Sequence, residues 1–301
     1  MQERYVIHVT KKCNMSCIYC YEKDKTSKYT KDEVVNTAIT IASKCKSDKF
    51  SIEFLGGEPM LAFDIVKAVY EALEKKYANR ITDYVITTNG TILNNEILSY
   101  LKNNPKIYFA VSIDGTRWAN QLRVLKNGKN SFDIVQHNIK TFIKHNGGNQ
   151  IGAHIVTHPY NIGNLFNSVK YLYDIGIRNI GIGTVESTIR IDNNYCNRFV
   201  KEMLEISKAY KNNEFNGLVI DLLHNPKPEN DQRYYIKDHK TGKVIGESYG
   251  RAHNDITISN IYNSIAVTSD LENAIISLRK CVYLNHISIL KKEDKNDIYN
   301  T

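Results

Sequence analysis

Two periods of apolar and polar positions alternate along the first two thirds of the chain. Short runs rich in β-branched and aromatic residues, at Tyr5–Thr10, Phe50–Leu55, Ile81–Thr87, Ile107–Ile113, Ile151–Val156 and Asn179–Gly183, predict six strands. Between and after them, apolar residues recur every three or four positions over Lys31–Cys45, Phe63–Tyr77, Asn95–Lys102, Phe132–Lys144, Leu165–Ile175 and Asn194–Tyr210, which predicts six helices. In the first helix Val34, Val35, Ala38, Ile39, Ile41 and Ala42 make the apolar stripe, and Thr30 stands where a cap belongs. Strands that alternate with helices imply a parallel sheet with right-handed crossovers. Periodicity alone does not separate a partial (β/α)6 TIM-type barrel from a doubly wound sheet.

The pattern weakens after residue 213. We expect a core over residues 1–213 and a small α+β extension over 214–301. In the extension, Asn225–Asp231 reads as a linker, Tyr234–Tyr249 as a β-hairpin turning at Lys240-Thr-Gly242, and Asp270–Tyr283 as a short helix. The hairpin suits either closing or guarding the open side of a barrel, or simply covering an edge.

Composition changes this picture little. The chain has 301 residues, 42% hydrophobic, which is enough for a substantial core. No apolar run approaches the roughly 18 residues of a membrane span, so no membrane partner is expected. Forty Lys and Arg against 32 Asp and Glu leave +8, which permits an acidic partner without requiring one.

The chemistry concentrates at predicted strand ends. Cys13, Cys17 and Cys20 follow the first strand, spaced three and then two residues apart, and aromatic Tyr19 precedes the third. Three thiolates on one loop leave one metal position open where a closed zinc or iron–sulfur site takes four. Zinc would need a fourth Cys or His at short spacing, and none lies between Cys20 and Cys45. Six cysteines in a chain of this length are too sparse for a disulfide framework. Gly56, Gly57, Glu58 and Pro59 follow the second strand, where glycines permit close backbone approach and Pro59 fixes the turn. Asn89 follows the third strand, Ser112 and Asp114 the fourth, His158 the fifth and Glu186 the sixth. In parallel α/β folds these strand ends form one rim, where sites gather.

With the Cys-x3-Cys-x2-Cys loop and Gly-Gly-Glu-Pro in place, the chain resembles the radical S-adenosylmethionine (SAM) superfamily over roughly residues 3–190. The resemblance implies a partial barrel and one [4Fe–4S] cluster held by Cys13, Cys17 and Cys20. It also implies that SAM is bound by Tyr19, Gly56, Gly57, Glu58, Asn89, Ser112, Asp114 and Arg123, with the Arg123 guanidinium matching the SAM carboxylate. The chemistry implied is one-electron cleavage of SAM followed by removal of a hydrogen atom from a substrate. Oxygen sensitivity then points to a reducing cytoplasm, and the electron to a donor such as a flavodoxin or ferredoxin.

The motif style is closest to peptide-modifying members such as anaerobic sulfatase-maturating enzymes, so a peptide or protein substrate is expected. Those members usually carry a cysteine-rich C-terminal extension of the SPASM or twitch type. Here only Cys196 and Cys281 follow residue 190, so a single cluster is expected. Cys196, shortly after the sixth strand, is a candidate hydrogen donor to a substrate radical, against the ordinary reading of a buried inert thiol. Cys45 and Cys281 read as core, and His154, inside a strand, as structural. Two other classes stay open: a radical SAM enzyme acting on RNA or a nucleotide, and a non-catalytic accessory protein of the same fold.

Overall fold

The computed structural model describes residues 3–185 except Lys23, residues 193–220, and two further strands at 232–237 and 244–250. Glu186, Cys281, the expected linker, the expected hairpin turn, the expected helix near residue 270 and the side chain of Cys196 lie outside the described residues.

The two-period pattern becomes strands and helices close to where it predicts them. Strands β1 (Glu3–Thr10), β2 (Phe50–Gly56), β3 (Ile81–Thr88), β4 (Ile107–Ser112), β5 (Ile151–Thr157) and β6 (Asn179–Thr184) are parallel neighbours in chain order. Helices α1 (Lys31–Lys44), α2 (Phe63–Tyr77), α3 (Asn95–Asn103), α4 (Phe132–Asn146) and α5 (Leu165–Asp174) make the crossovers, and α6 (Asn193–Lys211) follows β6. Local chemistry sets several boundaries. Thr30 accepts from the Glu33 N–H while the Glu33 carboxylate accepts from the Thr30 N–H, a reciprocal cap that starts α1. The Asn94 side chain accepts from the Ile97 N–H and starts α3.

A seventh parallel strand, β7 (Val219–Ile220), pairs with β6. Its two residues are too few to show a period. Phe215, Leu218 and Ile220 belong to the same core cluster as the strands and helices before them, although they lie past residue 213. At the other edge, β8 (Gln232–Lys237) and β9 (Val244–Gly250) form an antiparallel hairpin whose β9 pairs antiparallel with β1. The hairpin therefore covers the β1 edge, giving the order β7-β6-β5-β4-β3-β2-β1-β9-β8. The outermost strand on that side is then β8 rather than β1.

Alternation along the strands divides the sheet's two faces. Ile107, Phe109 and Val111 of β4 and Ile151, Ala153 and Ile155 of β5 are buried in the core cluster; Phe109 stacks on Phe142 of α4 at 5.3 Å. The alternate residues Tyr108, Ala110, Ser112, His154 and Val156 are half-buried on the opposite face. Full burial on the helix side supplies the main stabilisation. The other face, less covered, leads up to the strand ends. Among the described residues no helix is long and apolar enough to cross a membrane.

Candidate active site at the cysteine loop

The loop after β1 is strapped on two sides. Thr10 bridges Lys28 and the Lys11 N–H donates to Ser27, which closes the loop's base. Met15, fully buried, bridges Leu125, while the Ser16 and Ile18 N–H groups donate to Val124 and Leu122. The loop is thus an edge of a small antiparallel patch rather than free chain.

Its three cysteines are free thiols, Cys13 buried and Cys17 and Cys20 half-buried. Burial is the main effect that pushes Cys13 and Cys17 above the ordinary thiol value; a hydrogen bond from the Met15 N–H opposes it at Cys13, and the Arg123 charge opposes it at Cys17. Among the described residues no group of three or more His, Cys, Asp and Glu side chains converges on a single-ion site. Cys45, by contrast, caps α1 and is buried in the core, as expected.

Gly56 and Gly57 owe their identity to the cysteine loop. A Cβ on Gly56 would fall 2.0 Å from the Thr10 carbonyl oxygen, and one on Gly57 2.3 Å from those of Lys11 and Lys12. The Gly57 and Glu58 N–H groups are spent on the Thr10 and Lys12 carbonyls, both at 2.8 Å. The close backbone approach that two glycines allow is therefore to the loop itself, and neither N–H remains for a ligand.

The Glu58 carboxylate is fully buried. Oε1 accepts from the Met60 N–H at 3.0 Å and the Thr88 hydroxyl at 2.6 Å, and Oε2 from the Asn89 N–H at 2.6 Å. Burial raises its pKa to about 6, and these neutral donors offset only part of that effect. Asn89 continues toward the cysteines: its Nδ2 donates to Asn14 at 2.8 Å and lies 3.8 Å from the Cys13 sulfur.

A second buried carboxylate sits across the rim. Asp114 Oδ2 accepts from the Tyr19 hydroxyl at 2.6 Å, and Oδ1 accepts from the Val156 N–H at 3.0 Å and faces Arg123 Nη2 at 2.9 Å. That last contact is an ion pair rather than an aligned hydrogen bond, and among the described residues the buried Arg123 Nε has no hydrogen-bond partner. The guanidinium also lies over the Tyr19 ring, at 5.4 Å, and His158 stacks on its ring at 6.1 Å. His158 Nδ1 accepts from the Tyr160 N–H. Ser112, at the end of β4, is half-buried.

The predicted rim residues Tyr19, Glu58, Asn89, Asp114, Arg123 and His158 are thus bonded or stacked into two clusters that flank the cysteines. Thr88, Asn120 and Asn14 join them and are not singled out by the sequence. Thr88 is visible only as the residue before Asn89. Asn120, fully buried, accepts from the Asp114 N–H at 3.0 Å across six residues.

Comparison with known proteins places this arrangement. The chain is 31% identical to an uncharacterized protein of Methanocaldococcus jannaschii over 58% of this chain and 60% of that one. It is 30% identical to the cysteine-type anaerobic sulfatase-maturating enzyme of Clostridium novyi, over 42% of this chain and 37% of that one. Identity to a probable GTP 3',8-cyclase of M. jannaschii is 28%, over 42% and 45%. The chain therefore spans 60% or less of the length of these relatives. A solved structure, native anSMEcpe with bound AdoMet and the Cp18Cys peptide, superimposes with a TM-score of 0.63 at 20% identity, over 73% of this chain and 63% of that one, a likeness of fold. The radical SAM superfamily model matches residues 7–171, more than half of the chain, including the cysteine loop and both rim clusters, so the chain belongs to the radical SAM superfamily.

Proposed function

We propose that this chain holds a [4Fe–4S] cluster through Cys13, Cys17 and Cys20, binds SAM beside it, and removes a hydrogen atom from a peptide or protein substrate. When bound, the cluster and SAM supply a one-electron cleavage that yields methionine and a 5′-deoxyadenosyl radical, the hydrogen-abstracting species.

The observation that carries this reading is three free thiols on one doubly strapped loop, beside a buried guanidinium with an unused donor. Each thiolate of a cubane cluster takes its own iron, so thiols that do not converge on one ion suit a cluster better than zinc. Ligation releases the thiol protons that burial now retains at Cys13 and Cys17. Arg123 Nε offers the buried donor that a SAM carboxylate needs, and the half-buried Ser112 hydroxyl offers a second contact. Gly56, Gly57, Glu58 and Asn89 act by holding the cysteine loop against the ends of β2 and β3. Tyr19 and Asp114 tie the same loop to β4 and β5.

The sulfatase-maturating relative and the peptide-bound structural neighbour support a peptide substrate. The cyclase relative supports a nucleotide instead. Deuterated candidate substrates separate the two under anaerobic reduction with SAM. Deuterium appearing in 5′-deoxyadenosine from a peptide is the expected result. Transfer from a guanosine nucleotide alone would overturn the peptide reading.

A further inference from the structure

Single apolar side chains on a surface are ordinary, but a group of them on one side is not. Among the described residues the large apolar side chains that stand most exposed are Ile18, Tyr21, Leu61, Trp118, Ile134 and Tyr160. Every one follows the carboxyl end of a strand: β1 for Ile18 and Tyr21, β2 for Leu61, β4 for Trp118 and Ile134, and β5 for Tyr160. Exposed apolar area therefore gathers on the rim that carries the cysteines.

Trp118 and Tyr160 form a plate within this group. They come from different strand ends, yet their rings stack at 4.8 Å and 18°, and each keeps over a third of its surface open, 44% and 38%. Three bonds fix the two loops against each other. The Tyr160 hydroxyl donates to Gln121 at 2.8 Å, Asn161 Nδ2 to the Ala119 carbonyl at 3.4 Å, and Asn164 Nδ2 to the Thr116 hydroxyl at 2.7 Å. The plate continues directly into the site: the Tyr160 N–H donates to His158, whose ring stacks on Tyr19. Ile18 adjoins it from the cysteine loop, because its N–H donates to Leu122 at the end of the turn that Trp118 begins. Rings held this rigidly offer contact area at little cost in conformational entropy.

We infer that the Trp118–Tyr160 plate, extended by Ile18, is a subsite for an aromatic side chain of the peptide substrate, on a residue that flanks the one losing hydrogen. This deepens the proposed function and rests on its peptide reading. A nucleobase would also stack on the plate, but a nucleotide brings phosphates, and Arg117, the cation beside Trp118, is already paired with Asp133. Ile18 suits an apolar side chain and offers a phosphate nothing. A second copy seated on the plate would close the rim against any substrate.

Trp118 is the chain's one tryptophan, so fluorotryptophan in its place gives a single fluorine NMR signal that reads this plate alone. The full chain, reconstituted anaerobically, is titrated with a decapeptide of Gly and Ser carrying one central Phe, with its Gly/Ser parent, and with a guanosine nucleotide. The Phe peptide should shift the signal saturably and shrink its solvent isotope shift, while the parent and the nucleotide leave both unchanged. Tyr160→Ser should weaken Phe-peptide affinity by about three-fold or more, with peptide-free, dithionite-driven SAM cleavage unchanged. No response to the Phe peptide at millimolar concentration would overturn the inference. So would an equal response to the parent, a response to the nucleotide alone, or an affinity that survives Tyr160→Ser. A free-chain signal without a solvent isotope shift would mean that another part of the chain covers the plate, and one that changes with protein concentration that a second copy does; either overturns it. If the wild type cleaves no SAM, the proposed function fails, while the titration still decides the subsite.

Discussion

Two buried carboxylates flank the cysteine loop, and they are held in opposite ways. Glu58 is surrounded by neutral donors: one hydroxyl and two backbone N–H groups. Asp114 is held by a cation, a phenol and one N–H. Burial outweighs the three neutral donors at Glu58 and lifts its pKa to about 6, while Asp114 and Arg123 neutralise each other. The Glu58 cluster fixes the loop through short-range backbone bonds and titrates in the range of mild acid. The Asp114 cluster fixes it through charge, and its strength lies in keeping both partners present.

Breaking the charged cluster has the largest expected effect. Arg123→Met leaves Asp114 buried beside Tyr19 without its cation, and urea denaturation under anaerobic conditions should show a loss of about 3–5 kcal/mol. A loss below 1 kcal/mol would mean that the pair is solvated in solution and the comparison fails.

The neutral cluster predicts a pH effect instead. Glu58 binds its proton more tightly in the folded chain, at about 6, than at its ordinary value of 4.5. The folded state therefore holds the extra proton between those values. Its contribution to stability is full below pH 4.5 and falls by about 2 kcal/mol as pH rises through 6. Glu58→Gln should remove that component from the pH dependence, read as the difference between the two stability profiles. Profiles that stay parallel would contradict the burial argument.

Tyr19→Phe keeps the ring under Arg123 and against His158 but removes the hydroxyl that reaches Asp114. The cost should be about 1.5–3 kcal/mol, the range for a hydrogen bond to a charged group, and no new pH dependence should appear. Least of all, Lys170→Ala breaks an exposed ion pair with Asp174 at the spacing of one helical turn and should change stability by about 0.5 kcal/mol or less. A larger change there would mean that surface charge matters more in this chain than the contrast between the two buried clusters allows.

The same contrast marks what the sequence could reveal. Helix and strand period reports which face of an element is buried, so six strands and six helices are legible from local spacing. The cysteine loop and the segments at the strand ends are legible too, because loop spacing and glycine placement are local. Pairings are not. Tyr19 meets Asp114 across 95 residues, and Glu58 meets Thr88 across 30; nothing local to any of these residues specifies its partner. Gly57 illustrates the gap. Its need for a bare Cα is visible, but the reason, the Lys11 and Lys12 carbonyls, comes from a different strand end. Strand β7, two residues long, escapes for the simpler reason that it has no room for a pattern.

The central claim is that Cys13, Cys17 and Cys20 together hold one iron–sulfur cluster that cleaves SAM. The most direct test is iron and sulfide analysis of anaerobically reconstituted protein, with 5′-deoxyadenosine release followed after reduction, beside Cys17→Ala. The account predicts about four irons and four sulfides per chain, with cleavage present in the wild type and abolished in the variant. Zinc in place of iron, or iron and cleavage that survive the loss of Cys17, would contradict it.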